Sequence, residues 1–134
     1  MFQNQLSKIR YSILESCYRI REGHIGSAFS VLEILFVIFR KYFKKNYFIL
    51  SKGHAAIGVY AIMNHFKILK GKDYRSFCNF NSKLGGHPDS TKLPNFNFST
   101  AFSLASLVEI GLVRCKSRKA IFSQIVKLSN KAPP

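Results

Sequence analysis

Acidic residues are scarce in this chain. Of its 134 residues only 6 are Asp or Glu, against 21 Lys plus Arg, for a formal net charge of +15. With so few carboxylates, and no two histidines at local ligand spacing, a zinc site is a weak reading. Cysteine is sparse too. Cys17, Cys78 and Cys115 are odd in number and widely spaced, with no C-x-x-C pair, which argues against a disulfide framework. Long apolar runs are missing. The longest, Val31 to Phe39, is short and holds Glu33, so it cannot span a bilayer as a helix. The opening Met-Phe-Gln-Asn-Gln-Leu-Ser-Lys has neither an apolar h-region nor a cleavage site. The expected setting is therefore a cytoplasmic, reducing compartment with no membrane association. Repeats, low-complexity tracts and linkers are lacking as well, and the length suits one domain, residues 1–134.

What is present is a core. Hydrophobic residues make up 47% of the chain, too many for a disordered basic tail. The positive charge is spread along the sequence in small knots such as Arg40-Lys41 and Lys44-Lys45. Such a surface attracts polyanions without selecting among them. A small basic nucleic-acid-binding domain is thus a rival reading, although the many Phe and Tyr residues lie mostly in apolar runs, where core packing explains them. Non-specific attraction is what the charge supports.

Periodicity predicts a helix over Gln3 to Arg21, with Leu6, Ile9, Ile13, Cys17 and Ile20 on one stripe. Gly23-His24-Ile25-Gly26-Ser27 should interrupt it as a loop. Ser30 and Glu33 have capping-box spacing, so a second helix is expected from Ser30 to Phe43, apolar nearly all round and therefore buried. Tyr47 to Leu50 reads as a buried strand. It runs into Ser51-Lys52-Gly53-His54 and then a helix, Ala55 to Phe66, rich in small residues. A strand, a glycine turn and a helix together offer an anion-binding helix start. A short helix is expected over Asp73 to Phe80, an irregular loop over Asn81 to Asn97, a helix over Ser103 to Val113 and a strand over Ala120 to Val126.

Four histidines are present. His65 lies in an apolar helical run and reads as a helix-surface residue. His24, His54 and His87 each follow a glycine at the mouth of a predicted loop. Taken singly, each is most simply a histidine at a turn. In glycine loops imidazoles can also donate hydrogen bonds to phosphates and hydroxyls or move protons near neutral pH.

Taken together, three ordered segments resemble the N-terminal region of transketolases. They are Gly23-His24-Ile25-Gly26-Ser27, Phe48-Ile49-Leu50-Ser51-Lys52-Gly53-His54-Ala55-Ala56, and Leu84-Gly85-Gly86-His87-Pro88. The resemblance spans about Leu6 to Thr100 and is most similar to the split form, whose separate N-terminal subunit carries the thiamine-diphosphate-binding half. It implies an α/β fold with a parallel sheet and flanking helices, of which this chain holds the N-terminal portion. The family activity is thiamine-diphosphate-dependent transfer of a two-carbon ketol unit between sugar phosphates, within pentose phosphate metabolism. By the same resemblance His54, with Gly53, contacts the cofactor diphosphate. His24 and His87 face the donor sugar as catalytic residues. The implied partners are further copies in a homo-oligomer and a C-terminal transketolase subunit.

Departures are specific. The family's Gly-x-Leu-Gly-x-Gly stretch after its Ser-Thr pair is replaced after Ser99-Thr100 by Ala101-Phe102-Ser103-Leu104-Ala105. The Gly-Asp-Gly motif and the distant Asn that hold the divalent metal (Mg) have no counterpart, since Asp73 and Asp89 lack that context. No metal ligand is named. Residues 101–134 read as a divergent tail of a truncated or degenerate domain. The expectation is a chain inactive alone, or a non-catalytic interaction remnant.

Overall fold

The computed structural model describes residues 2–43, 47–50, 52–89, 92–93, 98–100 and 110–113. Its first helix, α1, runs Phe2–Ile20. Leu6, Ile9, Ile13 and Cys17, at steps of three and four, are all buried, and Ile20 is half-buried against the same core. The predicted stripe is therefore the packed face. α1 stops where the glycine interruption was expected. Arg21 takes φ 54° and Gly23 takes φ 136°. A β-carbon on Gly23 would stand 2.5 Å from Cys17 Sγ, so conformation and space both require glycine there.

Beyond that turn two expectations are corrected. Only the start of Gly23 to Ser27 is a loop, because Ile25–Phe29 winds into a short helix, α2. Ala28 N–H donates to His24 O at 3.0 Å and Ser30 N–H to Gly26 O at 3.1 Å. Burial of Ala28 against the helix carrying Gly58 outweighs the poor helix propensity of Gly26. Nor does Ser30 cap the next helix. α3 is Leu32–Lys41, its N-cap is Val31, and no side chain caps it. Ser30 Oγ instead donates to Ser27 O at 3.0 Å and accepts from Lys52 Nζ at 2.8 Å. Glu33, the other half of the expected box, is ion-paired with Arg10 of α1.

β1, Tyr47–Leu50, leads through a tight 3-10 turn, Gly53–Ala55, into α4, Ala56–His65. Every α4 residue from Ala56 to Met63 is buried. Its small residues permit this: a β-carbon on Gly58 would meet Ala28 at 3.3 Å, so α2 lies directly on α4. α5, Gly71–Arg75, begins and ends earlier than the predicted Asp73 to Phe80. Ser76 Oγ donates to Asp73 O at 2.7 Å, and Cys78 and Asn81 then take φ 55° and 62°, which turns the chain instead of extending the helix.

A third correction concerns the sheet. β2, Phe98–Thr100, pairs parallel with β1, in the register Phe48↔Phe98 to Leu50↔Thr100. β3, Ile110–Val113, falls within the expected helix Ser103 to Val113 and pairs antiparallel with β1, Tyr47↔Val113 to Leu50↔Ile110. The described strands thus lie in the order β2-β1-β3, with the expected parallel pairing between β1 and β2 and an antiparallel neighbour in β3. A four-residue apolar run carries too little periodicity to separate strand from helix, and the partner strand decides. The expected strand Ala120 to Val126 lies outside the described residues. Among the described residues no helix is long and apolar enough to cross a membrane.

A candidate cofactor site at three histidine loops

β1 and β2 run parallel, so Leu50 and Thr100 end side by side at one edge of the sheet. Loops that follow the carboxyl ends of parallel strands are the usual place for ligands in α/β sheets. The turn carrying His54 leaves β1 at this edge. His24 arrives there as the residue before α2, and His87 arrives from the Gly85-Gly86-His87-Pro88 loop. The His24 and His54 rings meet edge to face with centroids 4.5 Å apart, and the His54 and His87 rings with centroids 4.9 Å apart. Three residues separated by 30 and 33 positions along the chain thus form one cluster.

The close meeting of the His54 and His87 loops depends on Gly53. A β-carbon there would lie 2.5 Å from His87 Cδ2. Beneath the rings is a cavity of about 100 Å³, whose walls include Glu22, Ile57, Phe77 and Cys78. All three imidazoles are solvent-exposed, so the cluster forms an open rim over an apolar floor. The thiolate form of Cys78 is disfavoured here. Burial pushes its thiol up, and the nearby Glu22 and Cys17 push it further. Among the described residues no three His, Cys, Asp or Glu groups are placed to hold a metal ion.

Lys52 reaches back from the β1 turn to Ser30 and ties the His54 loop to the end of α2, the helix that follows His24. Sequence reasoning passed over Lys52, Glu22 and Cys78. The only local signal was Lys52's place inside Ser-Lys-Gly-His, since Glu22 and Cys78 join the site through packing. His65 stands apart. It ends α4, half-buried, with its ring 5.8 Å from Phe36 and 5.2 Å from Phe66. Burial, and secondarily Lys8, lowers its pKa, so it is less a surface residue than was expected.

Helix start, glycine turn and imidazole rim thus meet at one edge of the sheet, and comparison with known proteins gives the chain a family. Residues 2–106 match the family model described as transketolase, thiamine diphosphate binding domain. The chain belongs to that family. Among curated proteins it is similar to a transketolase of Aquifex aeolicus, 26% identical over 106 residues, covering 71% of this chain and 15% of that protein. It is similar also to a transketolase of Buchnera aphidicola, 27% identical over 107 residues, covering 69% and 16%. A third relative is an apulose-4-phosphate transketolase subunit of Phocaeicola vulgatus, 29% identical over 106 residues, covering 72% and 37%. The chain therefore spans only a minor part of the length of these relatives. No solved structure matches it.

Proposed function

We propose that the chain is the N-terminal, cofactor-facing part of a transketolase and that its histidine rim receives one end of thiamine diphosphate and the donor sugar. The observation that carries this reading is the meeting of His24, His54 and His87, from three separate loops, in a member of this family. The residues fit the diphosphate end. His54 offers a ring N–H, Lys52 an ammonium, and Gly53 the close backbone approach. Neither the 3-10 turn nor α4 has a side-chain cap, which leaves first-turn N–H groups without a side-chain acceptor. A cavity of about 100 Å³ suits a phosphate-sized group, not the whole cofactor.

When bound, thiamine diphosphate supplies the nucleophilic carbon and the electron sink for moving a two-carbon ketol unit between sugar phosphates. In this reading His54 and Gly53 hold and orient the diphosphate. His24 and His87, the catalytic pair, hydrogen-bond the donor hydroxyls and pass protons at their ring nitrogens. The reading assigns no Mg ligand to this chain. Partners are further copies in a homo-oligomer and a C-terminal transketolase subunit. The setting is the cytoplasm, and the isolated chain is inactive.

Calorimetric titration of thiamine diphosphate, followed by ketol-transfer kinetics in the presence of a C-terminal transketolase subunit, tests this. His54→Ala should weaken cofactor binding by about 1.5–3 kcal/mol, on the order of tenfold to a hundredfold. His24→Ala and His87→Ala should lower turnover and donor use at nearly unchanged cofactor affinity, and His65→Ala should do neither. An unchanged cofactor dissociation constant in His54→Ala sinks the assignment. Turnover by the purified chain alone sinks the claim that it is inactive by itself.

A further inference from the structure

A second cavity, of about 320 Å³, lies between α1 and the α4–α5 connection and shares no residue with the histidine site. Its volume is at the lower end of the about 300–1,000 Å³ typical of small-molecule sites. Two guanidiniums line it, Arg19 from the last turn of α1 and Arg75 from the end of α5. Among the described residues neither has an ion pair with a carboxylate. In a chain this basic a free arginine is common. Two from different helices, lining one concavity with a hydroxylated wall, are a more specific arrangement.

That wall is built from hydrogen-bonding groups. Tyr74 is buried and its hydroxyl donates to Ser12 O at 3.1 Å while accepting from Ser12 Oγ at 3.0 Å. Ser12 and Tyr74 therefore form a rigid surface. Asn64, the penultimate residue of α4, contributes an amide, and Gly71 lies beside both that amide and Arg75: a β-carbon on Gly71 would make ordinary contact with Asn64 Oδ1 at 3.7 Å and Arg75 Nη1 at 3.9 Å. Burial pushes the Tyr74 phenol up, side-chain hydrogen bonding to Ser12 and Ser16 acts the other way, and Cys17 and Arg19 add smaller, opposed contributions. Glu15 completes the lining.

We infer that this cavity is a binding site for a small phosphomonoester with a hydroxylated body, its dianion held between Arg19 and Arg75. Guanidiniums pair with phosphate oxygens in bidentate geometry, which a lysine-rich surface does not reproduce. Asn64 and the serine hydroxyls face the ligand's hydroxyls, and Glu15 accepts from them. The inference does not depend on the histidine site.

The test uses the full chain at about 0.15 M salt, where long-range attraction is screened over about 8 Å. Glycerol 3-phosphate is titrated by calorimetry, with glycerol and inorganic phosphate as comparisons. Saturable binding of the phosphoester, none of glycerol and weaker binding of inorganic phosphate are expected. Arg19→Gln and Arg75→Gln should each weaken binding about tenfold or more, as expected for loss of a charged hydrogen-bonding partner. The double variant should abolish it. Both arginines are exposed, so the variants retain the fold, checked by circular dichroism. His54→Ala should leave this binding unchanged, as should Arg40→Gln at the end of α3. Absence of saturable binding overturns the inference. Equal loss in Arg40→Gln overturns it in favour of diffuse attraction, loss in His54→Ala in favour of the histidine rim, and equal affinity for inorganic phosphate in favour of a bare anion site.

Discussion

Helices α3 and α4 are each ten residues long and both are apolar, yet they have different fates. α4 is buried along nearly its whole length. α3 buries Leu32, Leu35, Phe36, Ile38 and Phe39 but leaves Ile34 and Val37 at 52% and 40% exposure. Residue size explains much of the difference. Ala56, Gly58 and Ala61 allow neighbours to approach α4 from several sides. The aromatic side chains of α3 fill one side fully, with Phe36 against Phe2 at 5.1 Å and Phe39 against Phe48 at 5.3 Å. Apolar content measures how much a helix gains from burial, whereas side-chain size governs how many neighbours can reach it. Of these two helices α4 is the one that begins at the histidine rim, so the more tightly enclosed helix is the one that follows His54.

The largest effect should come from a cavity in α4. Ile62→Ala removes a fully buried side chain and should lower unfolding stability by about 2–5 kcal/mol. Ile34→Ala on the open side of α3 should stay within about 0.5 kcal/mol. Denaturant unfolding of both variants measures the contrast, and similar losses would show that α3 is as enclosed as α4.

Close approach comes next. Gly58→Val drives a branched side chain into Ala28, whose backbone cannot yield, and should cost about 1–3 kcal/mol while displacing α2 and His24. Gly26→Ala, within α2 itself, meets nothing within 4 Å and should instead stabilise by about 0.5–1 kcal/mol. If both substitutions destabilise alike, the α2–α4 contact is not what distinguishes these glycines.

The smallest effects are titrations. Tyr60 of α4 is fully enclosed, and among the described residues its hydroxyl has no hydrogen-bond partner. Burial, then Cys78 and Asp89, pushes its phenol well above the ordinary 10.0. An acid with a raised native pKa contributes stability that is fully present below the unfolded value and lost as pH rises above it. Stability should therefore fall above about pH 10, and Tyr60→Phe should flatten that slope at little cost near neutrality. His65 behaves in the opposite sense. Its lowered pKa means that its contribution is present above the ordinary 6.5 and declines as pH falls through its native value. His65→Gln should remove that acid slope in thermal melts followed between pH 5 and 7. An unchanged slope would place the protonation elsewhere.

Local period and local chemistry settled a good deal from the sequence alone. The stripe Leu6–Ile9–Ile13–Cys17, the break at Gly23, the strand Tyr47 to Leu50 and the glycine turn into α4 are short-range features, and each was legible because its cause lies within a few residues. Family membership was legible because three motifs kept their order. Other features waited on the fold. Ser30 has the spacing of a cap, but its hydroxyl is taken by Ser27 and Lys52. Ile110–Val113 reads as helix or strand until β1 lies beside it. Ile34 and Val37 resemble core residues until the chain's packing leaves their side uncovered. The meeting of His24, His54 and His87, and the shared cavity lined by Arg19 and Arg75, are likewise absent from any local pattern. Contacts between distant segments depend on how whole elements pack, and a sequence window holds only one side of each such contact.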